Sequence, residues 1–186
     1  MRIIVAITGA SGVIYGIRLL QALKSFERVE THLVVSKWAQ KTIELETDYT
    51  IEQVYSLADN IYSCDDMSAS ISSGTFHHDG MIVVPCSMKT LAAIANGYAE
   101  ELIGRASDVT IKERRKLVLA VRETPLNPIH LDNMLKLSRI GAVIMPPVPS
   151  FYTKPETIDD LIDQFVGKIL DAFGLESSTF KRWRSQ

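Results

Sequence analysis

The sequence predicts an α/β fold: a single-domain, Rossmann-like or flavodoxin-like, doubly wound and largely parallel sheet with helices on both faces. Three observations carry this. Short apolar runs of strand length recur at Ile3–Ile7, Thr31–Val35, Met81–Val84, Leu117–Val121 and Ala142–Met145. Segments with helical spacing lie between them, and parallel neighbours require such crossover connections. The first run also opens directly into a small-residue turn, Thr8-Gly9-Ala10-Ser11-Gly12, before a helical pattern begins at Val13.

Taken in order, the run Ile3 to Ile7 is unbroken, as a strand buried on both faces requires. Val13, Ile14, Ile17, Leu20 and Leu23 then recur at helical spacing, and Thr31 to Val35 completes a βαβ beginning. Asp48 to Thr75 reads as an excursion over the sheet, with a short helix around Glu52 to Leu57 and a polar loop from Ser68 to Thr75. The third apolar run ends at Pro85, the fourth at Arg122 and the fifth at Pro146-Pro147. One helix is expected over Pro128 to Arg139, with Asn127 as N-cap and Pro128 in its first position. Another is expected over Ile158 to Phe173, capped by Thr157 and stopped by Gly174. Its residues Ile158, Leu161, Ile162, Phe165, Val166, Ile169 and Phe173 form one apolar face. Residues 1–174 are therefore expected to form one domain, with 175–186 as a tail, including Trp183, that packs at an interface or over the site.

Composition narrows the class of function. A hydrophobic fraction of 46% with 23% charged residues is that of an ordinary globular protein, and a net charge of −2 gives no reason to expect broad attraction to nucleic acid or an anionic membrane. No segment is long and apolar enough to span a bilayer, and the N-terminus lacks the pattern of a signal peptide, so a cytoplasmic location is expected. Cys64 and Cys86 stand far apart, outside any Cys-x-x-Cys or Cys/His ligand arrangement. Two reduced thiols are expected, with no disulfide framework and no metal site.

In an open α/β sheet the ligand binds beyond the carboxyl ends of the strands. The residues found there are Gly9, Ala10 and Ser11 after the first strand, Ser36 and Lys37 after the second, and Cys86, Ser87, Met88, Lys89 and Thr90 after the third. Arg122 and Glu123 follow the fourth, and Phe151 and Tyr152 follow the prolines after the fifth. Hydroxyls, helix N-termini, cations and an acid suit a phosphorylated, planar cofactor with proton transfer beside it. A nicotinamide dinucleotide fits poorly. Ser11 stands where the second glycine of G-x-G-x-x-G belongs, and Ser36-Lys37 replaces the acid that binds the ribose hydroxyls.

These residues also resemble a family. Thr8-Gly9-Ala10-Ser11-Gly12, Ser36-Lys37, Glu46-Thr47-Asp48, Pro85-Cys86-Ser87, Lys112-Glu113-Arg114-Arg115 and Arg122-Glu123-Thr124-Pro125-Leu126 together resemble the flavin prenyltransferases, the UbiX/Pad family, once called aromatic acid decarboxylases. The likeness runs on through Ile129-His130-Leu131 and Pro146-Pro147 to Phe151-Tyr152 and covers nearly the whole chain in order. It implies a metal-independent enzyme that joins the dimethylallyl group of dimethylallyl phosphate to N5 and C6 of reduced FMN. The product is prenylated FMN, made for a separate decarboxylase, and the enzyme is a homododecamer. By resemblance FMN is held by Gly9, Ala10, Ser11, Ser36, Ser87, Met88, Lys89, Thr90 and Arg122. By the same resemblance the prenyl phosphate meets Tyr152 and Lys168, with help from Lys112, which a neighbouring subunit can supply. Glu123 and Glu46 are the acid/base candidates, with Ser11 placed to relay or orient.

Composition alone gives duller readings. Glu46 reads as a solvated helix charge, Lys112 to Lys116 as a basic turn before a strand, and Lys168 as a snorkelling stem. Cys86 reads as a small buried side chain, because no His or cation stands beside it. His32, His77, His78 and His130 are given no catalytic role. One departure stands out: many relatives carry Arg where this chain has Lys168, which keeps the charge but loses the bidentate fork. Two competing functions remain. One is a cysteinyl-peptide decarboxylase of similar fold, whose Asn-bearing signature Pro85-Cys86-Ser87-Met88-Lys89-Thr90 lacks. The other is a non-catalytic FMN-binding accessory subunit of a decarboxylase.

Overall fold

The computed structural model describes residues 1–176. Six strands form one sheet: β1 (Arg2–Ile7), β2 (Glu30–Val35), β3 (Asn60–Tyr62), β4 (Gly80–Cys86), β5 (Lys116–Val121) and β6 (Val143–Ile144). Their order across the sheet is β3-β2-β1-β4-β5-β6, and every pair is parallel. The order reverses between β1 and β4, which makes their carboxyl ends the switch point where a ligand crevice opens.

The helices are α1 (Val13–Lys24), α2 (Lys37–Glu46), α3 (Ile51–Tyr55), α4 (Met88–Ala95), α5 (Leu102–Lys112), α6 (Pro128–Arg139) and α7 (Ile158–Ala172). Side chains alternate across the sheet as the strand period requires. Ile4, Ala6, Val34, Met81, Val83, Leu117 and Leu119 join one apolar cluster with Leu91 and Ile94 of α4, Leu102 and Ala106 of α5, and Met134 and Leu137 of α6. The chain divides into two compact units, Met1–Pro146 and a second beginning at Pro147 that contains α7.

Several expected boundaries recur. Asn127 caps α6 by accepting the His130 amide at 2.9 Å, and Thr157 caps α7 by accepting the Asp160 amide at 3.1 Å. Gly174 follows α7 with φ 67°, the left-handed conformation that ends helices. Four expectations need correction. The segment from Asp48 to Thr75 contains a sixth strand, β3, whose three residues are too few to carry a strand signal. Its polar loop also has an anchor, since Ile71 within the 3-10 turn Ser70–Ser72 is fully buried. β4 does not end at Pro85 but runs through it to Cys86, with a register irregularity between Val83 and Cys86 where the missing N–H breaks the ladder. β6 shrinks to two residues at the sheet edge.

Candidate active site at the strand ends

The carboxyl ends of β1 and β4 are fastened together. Thr8, 1% exposed, donates its hydroxyl to the Pro85 carbonyl at 2.7 Å and accepts the Ser87 amide at 2.9 Å. Beyond this clamp the first loop turns through Gly12, whose φ of 95° suits glycine, and α1 begins there with no side-chain cap. An uncapped helix start beside a small-residue loop offers amide donors and the positive end of the helix dipole to an anion.

Ser36 and Ser87 hold corresponding places. Ser36 caps α2 by accepting the Ala39 amide at 3.2 Å, and Ser87 caps α4 by accepting the Thr90 amide at 3.3 Å. The Ser87 and Thr90 hydroxyls lie 3.1 Å apart. Gly9, Ser36, Lys37 and Trp38 together with Ser87, Lys89, Thr90 and Glu101 line one cleft of about 310 Å³. Both lysines carry a partner: Lys37 pairs with Asp65 at 2.7 Å and Lys89 with Glu101 at 3.1 Å. The donor set, hydroxyls and ammonium groups around two helix starts, fits a phosphate ester.

Next to the cleft, Glu46 Oε2 accepts the Gly12 amide at 2.8 Å. Glu46 is thus tied to the first loop and is more than a solvated helix charge. Arg122 and Glu123 follow β5, both exposed; the Arg122 amide donates to the Cys86 carbonyl at 3.1 Å, which sets them beside the end of β4. Glu123 Oε1 accepts the Thr124 amide at 2.9 Å. Cys86 itself is fully buried, and burial pushes its thiol up to about 12, which suits packing and not nucleophilic attack.

Not every expected residue joins this group. Met88, half-buried, packs its side chain against the apolar cluster. Lys112 ends α5 just before β5 starts, at the amino edge of the sheet, and pairs with Glu113. Within one protomer it is therefore at the wrong edge for the cleft. Tyr152 and Lys168 are exposed and belong to the second unit. Trp183 lies outside the described residues. Three residues gain significance only in the structure. Thr8 and Trp38 stand at strand ends and could have been drawn from that rule, whereas Glu101 sits between helices with nothing in the sequence to mark it.

The Flavoprotein family model matches residues 1–170. The flavin prenyltransferase PAD1, mitochondrial, of Saccharomyces cerevisiae is 62% identical over 182 residues, covering 98% of this chain and 75% of that protein. A probable UbiX-like flavin prenyltransferase of Escherichia coli O157:H7 is 56% identical over 184 residues, covering 99% of this chain and 93% of its own. Among solved structures, a dodecameric FMN-dependent UbiX-like decarboxylase from Escherichia coli O157:H7 superposes with a TM-score of 0.98 at 56% identity, covering both chains fully. AnUbiX (PadA1), solved in complex with FMN and dimethylallyl pyrophosphate, gives 0.97 at 58% identity, over 100% of this chain and 98% of its own. The cypemycin decarboxylase CypD shares the fold alone, at 18% identity and a TM-score of 0.65 over 78% of this chain and 82% of its own. With such identity sustained from end to end, and with strand-end residues of the kind a flavin phosphate needs, the chain belongs to the UbiX-like flavin prenyltransferases of the flavoprotein family.

Proposed function

We propose that this chain transfers a dimethylallyl group from dimethylallyl phosphate to N5 and C6 of reduced FMN and releases prenylated FMN to a partner decarboxylase. The observation that carries the reading is the cleft at the switch point, where Gly9, Ser36 and Ser87 from three separate loops meet Thr90 of α4 around two helix starts. Gly9 to Ser11, Ser36, Ser87 to Thr90 and Arg122 hold the flavin mononucleotide. Reduced FMN supplies the nucleophilic atoms that take the prenyl unit.

The chain's own groups do the rest. Glu123 and Glu46 hold and move the protons displaced at the reacting atoms, contributions typically about 10²–10⁴-fold in rate. Ser11, exposed on the first loop, orients or relays beside them. Tyr152 and Lys168 stabilise the charge that grows on the departing phosphate. Lys112 joins them from a neighbouring copy, in an assembly like that of the dodecameric relative, because its own protomer places it at the opposite edge of the sheet. Residues 1–174 are the flavin-binding part of this reading, and the location is cytoplasmic. Among the described residues no helix is long and apolar enough to cross a membrane.

Anaerobic incubation with reduced FMN and dimethylallyl phosphate, followed by mass spectrometry of the flavin, tests the proposal. A gain of one prenyl unit, undiminished by a chelator, is expected. Unchanged FMN bound tightly by the chain would make it an accessory subunit instead.

A further inference from the structure

Trp38 has no part in the roles assigned above, yet its side chain is 73% exposed in the wall of the flavin cleft. So large an aromatic surface is usually mostly covered. Its root is fixed from two sides. It is the second residue of α2, whose first turn is capped by Ser36, and its carbonyl accepts the Thr42 hydroxyl at 2.8 Å. Across from it, a Cβ built on Gly9 would lie 2.6 Å from Trp38 Cβ, so the first loop rests flush on the Trp38 stem only because position 9 has no side chain. The Trp38 stem is held at the cleft while its ring stays uncovered.

The rest of the lining is polar or small: hydroxyls, two ion-paired lysines, Glu101 and Gly9. Such groups suit a phosphate and a polyol chain, and they offer nothing to a flat aromatic ring. Resting on the FMN reading, we propose that Trp38 is a specificity-determining residue whose indole lies against the bound flavin, so that the cleft selects an aromatic phosphate ester over a bare sugar phosphate.

The test is a titration of oxidised FMN followed by flavin emission, because an indole in contact with a photoexcited flavin gives it an electron and quenches it. The parent is expected to bind FMN with strongly quenched emission. Trp38→Leu is expected to bind about tenfold more weakly, as the loss of an aromatic contact predicts, and to leave the bound flavin several-fold brighter. Trp38→Phe keeps a ring without the readily oxidised indole, so it should restore most of the affinity while emission stays bright. It also carries the test if the leucine variant folds poorly. A Trp38→Leu protein with the parent's Kd and emission would overturn the proposal, leaving the FMN reading intact. So would one whose only change is a smaller assembly on size exclusion, which would place Trp38 between copies. A parent that binds no FMN would overturn both.

Discussion

Thr8 and Ser87, 79 residues apart in sequence, are joined by a 2.9 Å hydrogen bond from the Ser87 amide to the Thr8 hydroxyl. The same hydroxyl donates to the Pro85 carbonyl at 2.7 Å. The Thr8 amide reaches the same carbonyl at 3.3 Å, so backbone and side chain of one residue together hold the two loops that flank the switch point, where Pro85 interrupts the β4 ladder. Thr8→Val keeps the shape and removes the hydroxyl, leaving the Ser87 amide without its acceptor. A cost of about 1–3 kcal/mol is expected, seen as a melting temperature roughly 5 °C lower. FMN affinity should fall with it, while Thr8→Ser should recover both. Unchanged FMN affinity in a destabilised Thr8→Val protein would limit Thr8 to the fold.

Glu46 and Glu123 can be separated by what each carboxylate holds. Glu46 accepts the Gly12 amide, and a glutamine there still can, so Glu46→Gln should keep the first loop in place whereas Glu46→Ala should weaken FMN binding as well. Glu123 accepts only the amide of its neighbour Thr124 among the described residues, and its loss should not disturb the loops that bind flavin. Glu123→Gln is expected to bind FMN like the parent and to prenylate it about 10²–10⁴-fold more slowly. Stopped-flow rates with both variants would decide the assignment. Turnover within a few-fold of the parent for Glu123→Gln at every pH would leave Glu46 as the leading proton-transfer group.

Tyr152 and Lys168 stand outside the flavin loops, so changes there should spare FMN affinity. Lys168→Ala removes a full charge from ground and transition states alike and should raise the apparent KM for dimethylallyl phosphate. On the proposed role, Tyr152→Phe removes one hydrogen bond to the departing phosphate and should lower kcat more. Lys168→Arg, which conserves the charge, should stay active if phosphate contact is the role. Initial rates beside flavin titrations provide the check, and FMN affinity lost in parallel with turnover would place these residues in the fold.

Much of this architecture was legible because its signals are local. A strand buried on both faces must be apolar throughout, which is why Ile3 to Ile7 and Leu117 to Val121 stood out, and Asn127-Pro128 and Thr157 mark helix starts by the hydrogen bonds their types make. What stayed hidden depends on partners distant in sequence. β3 is a strand only because β2 offers it an edge, and Pro85 lies in a central strand because the β4–β5 ladder is irregular where its N–H is missing. The strand-end rule found Gly9, Ser36, Ser87 and Thr90, which do share a cleft. It could not place Lys112, because no local pattern tells which edge of the sheet a helix end reaches, nor could it find Glu101, whose partners Lys89 and Cys64 come from α4 and from the loop after β3.

The histidines without a catalytic role report on acid stability. His78 is 6% exposed; burial, with the Arg115 guanidinium nearby, holds its imidazole down at about 4 from an ordinary 6.5, against smaller opposing effects of the Gly80 carbonyl and Asp79. His32, packed edge-on against Phe76 with ring centroids 5.0 Å apart, is lowered too, chiefly by burial, with Glu30 opposing. For a base lowered on folding, the unfolded chain binds more protons between the two values, so stability rises with pH across that window. The contribution of His78 is fully present above about 6.5 and is lost as pH falls towards 4, up to roughly 3 kcal/mol in all. Urea unfolding of the parent should therefore show a clear loss from pH 7.5 to 5.0. His78→Phe, which fills the same apolar site without a titrating ring, should lose distinctly less over that interval, the remainder coming from His32 and the carboxylates. An identical pH slope in parent and variant would mean that His78 reaches solvent and protonates without disturbing the fold.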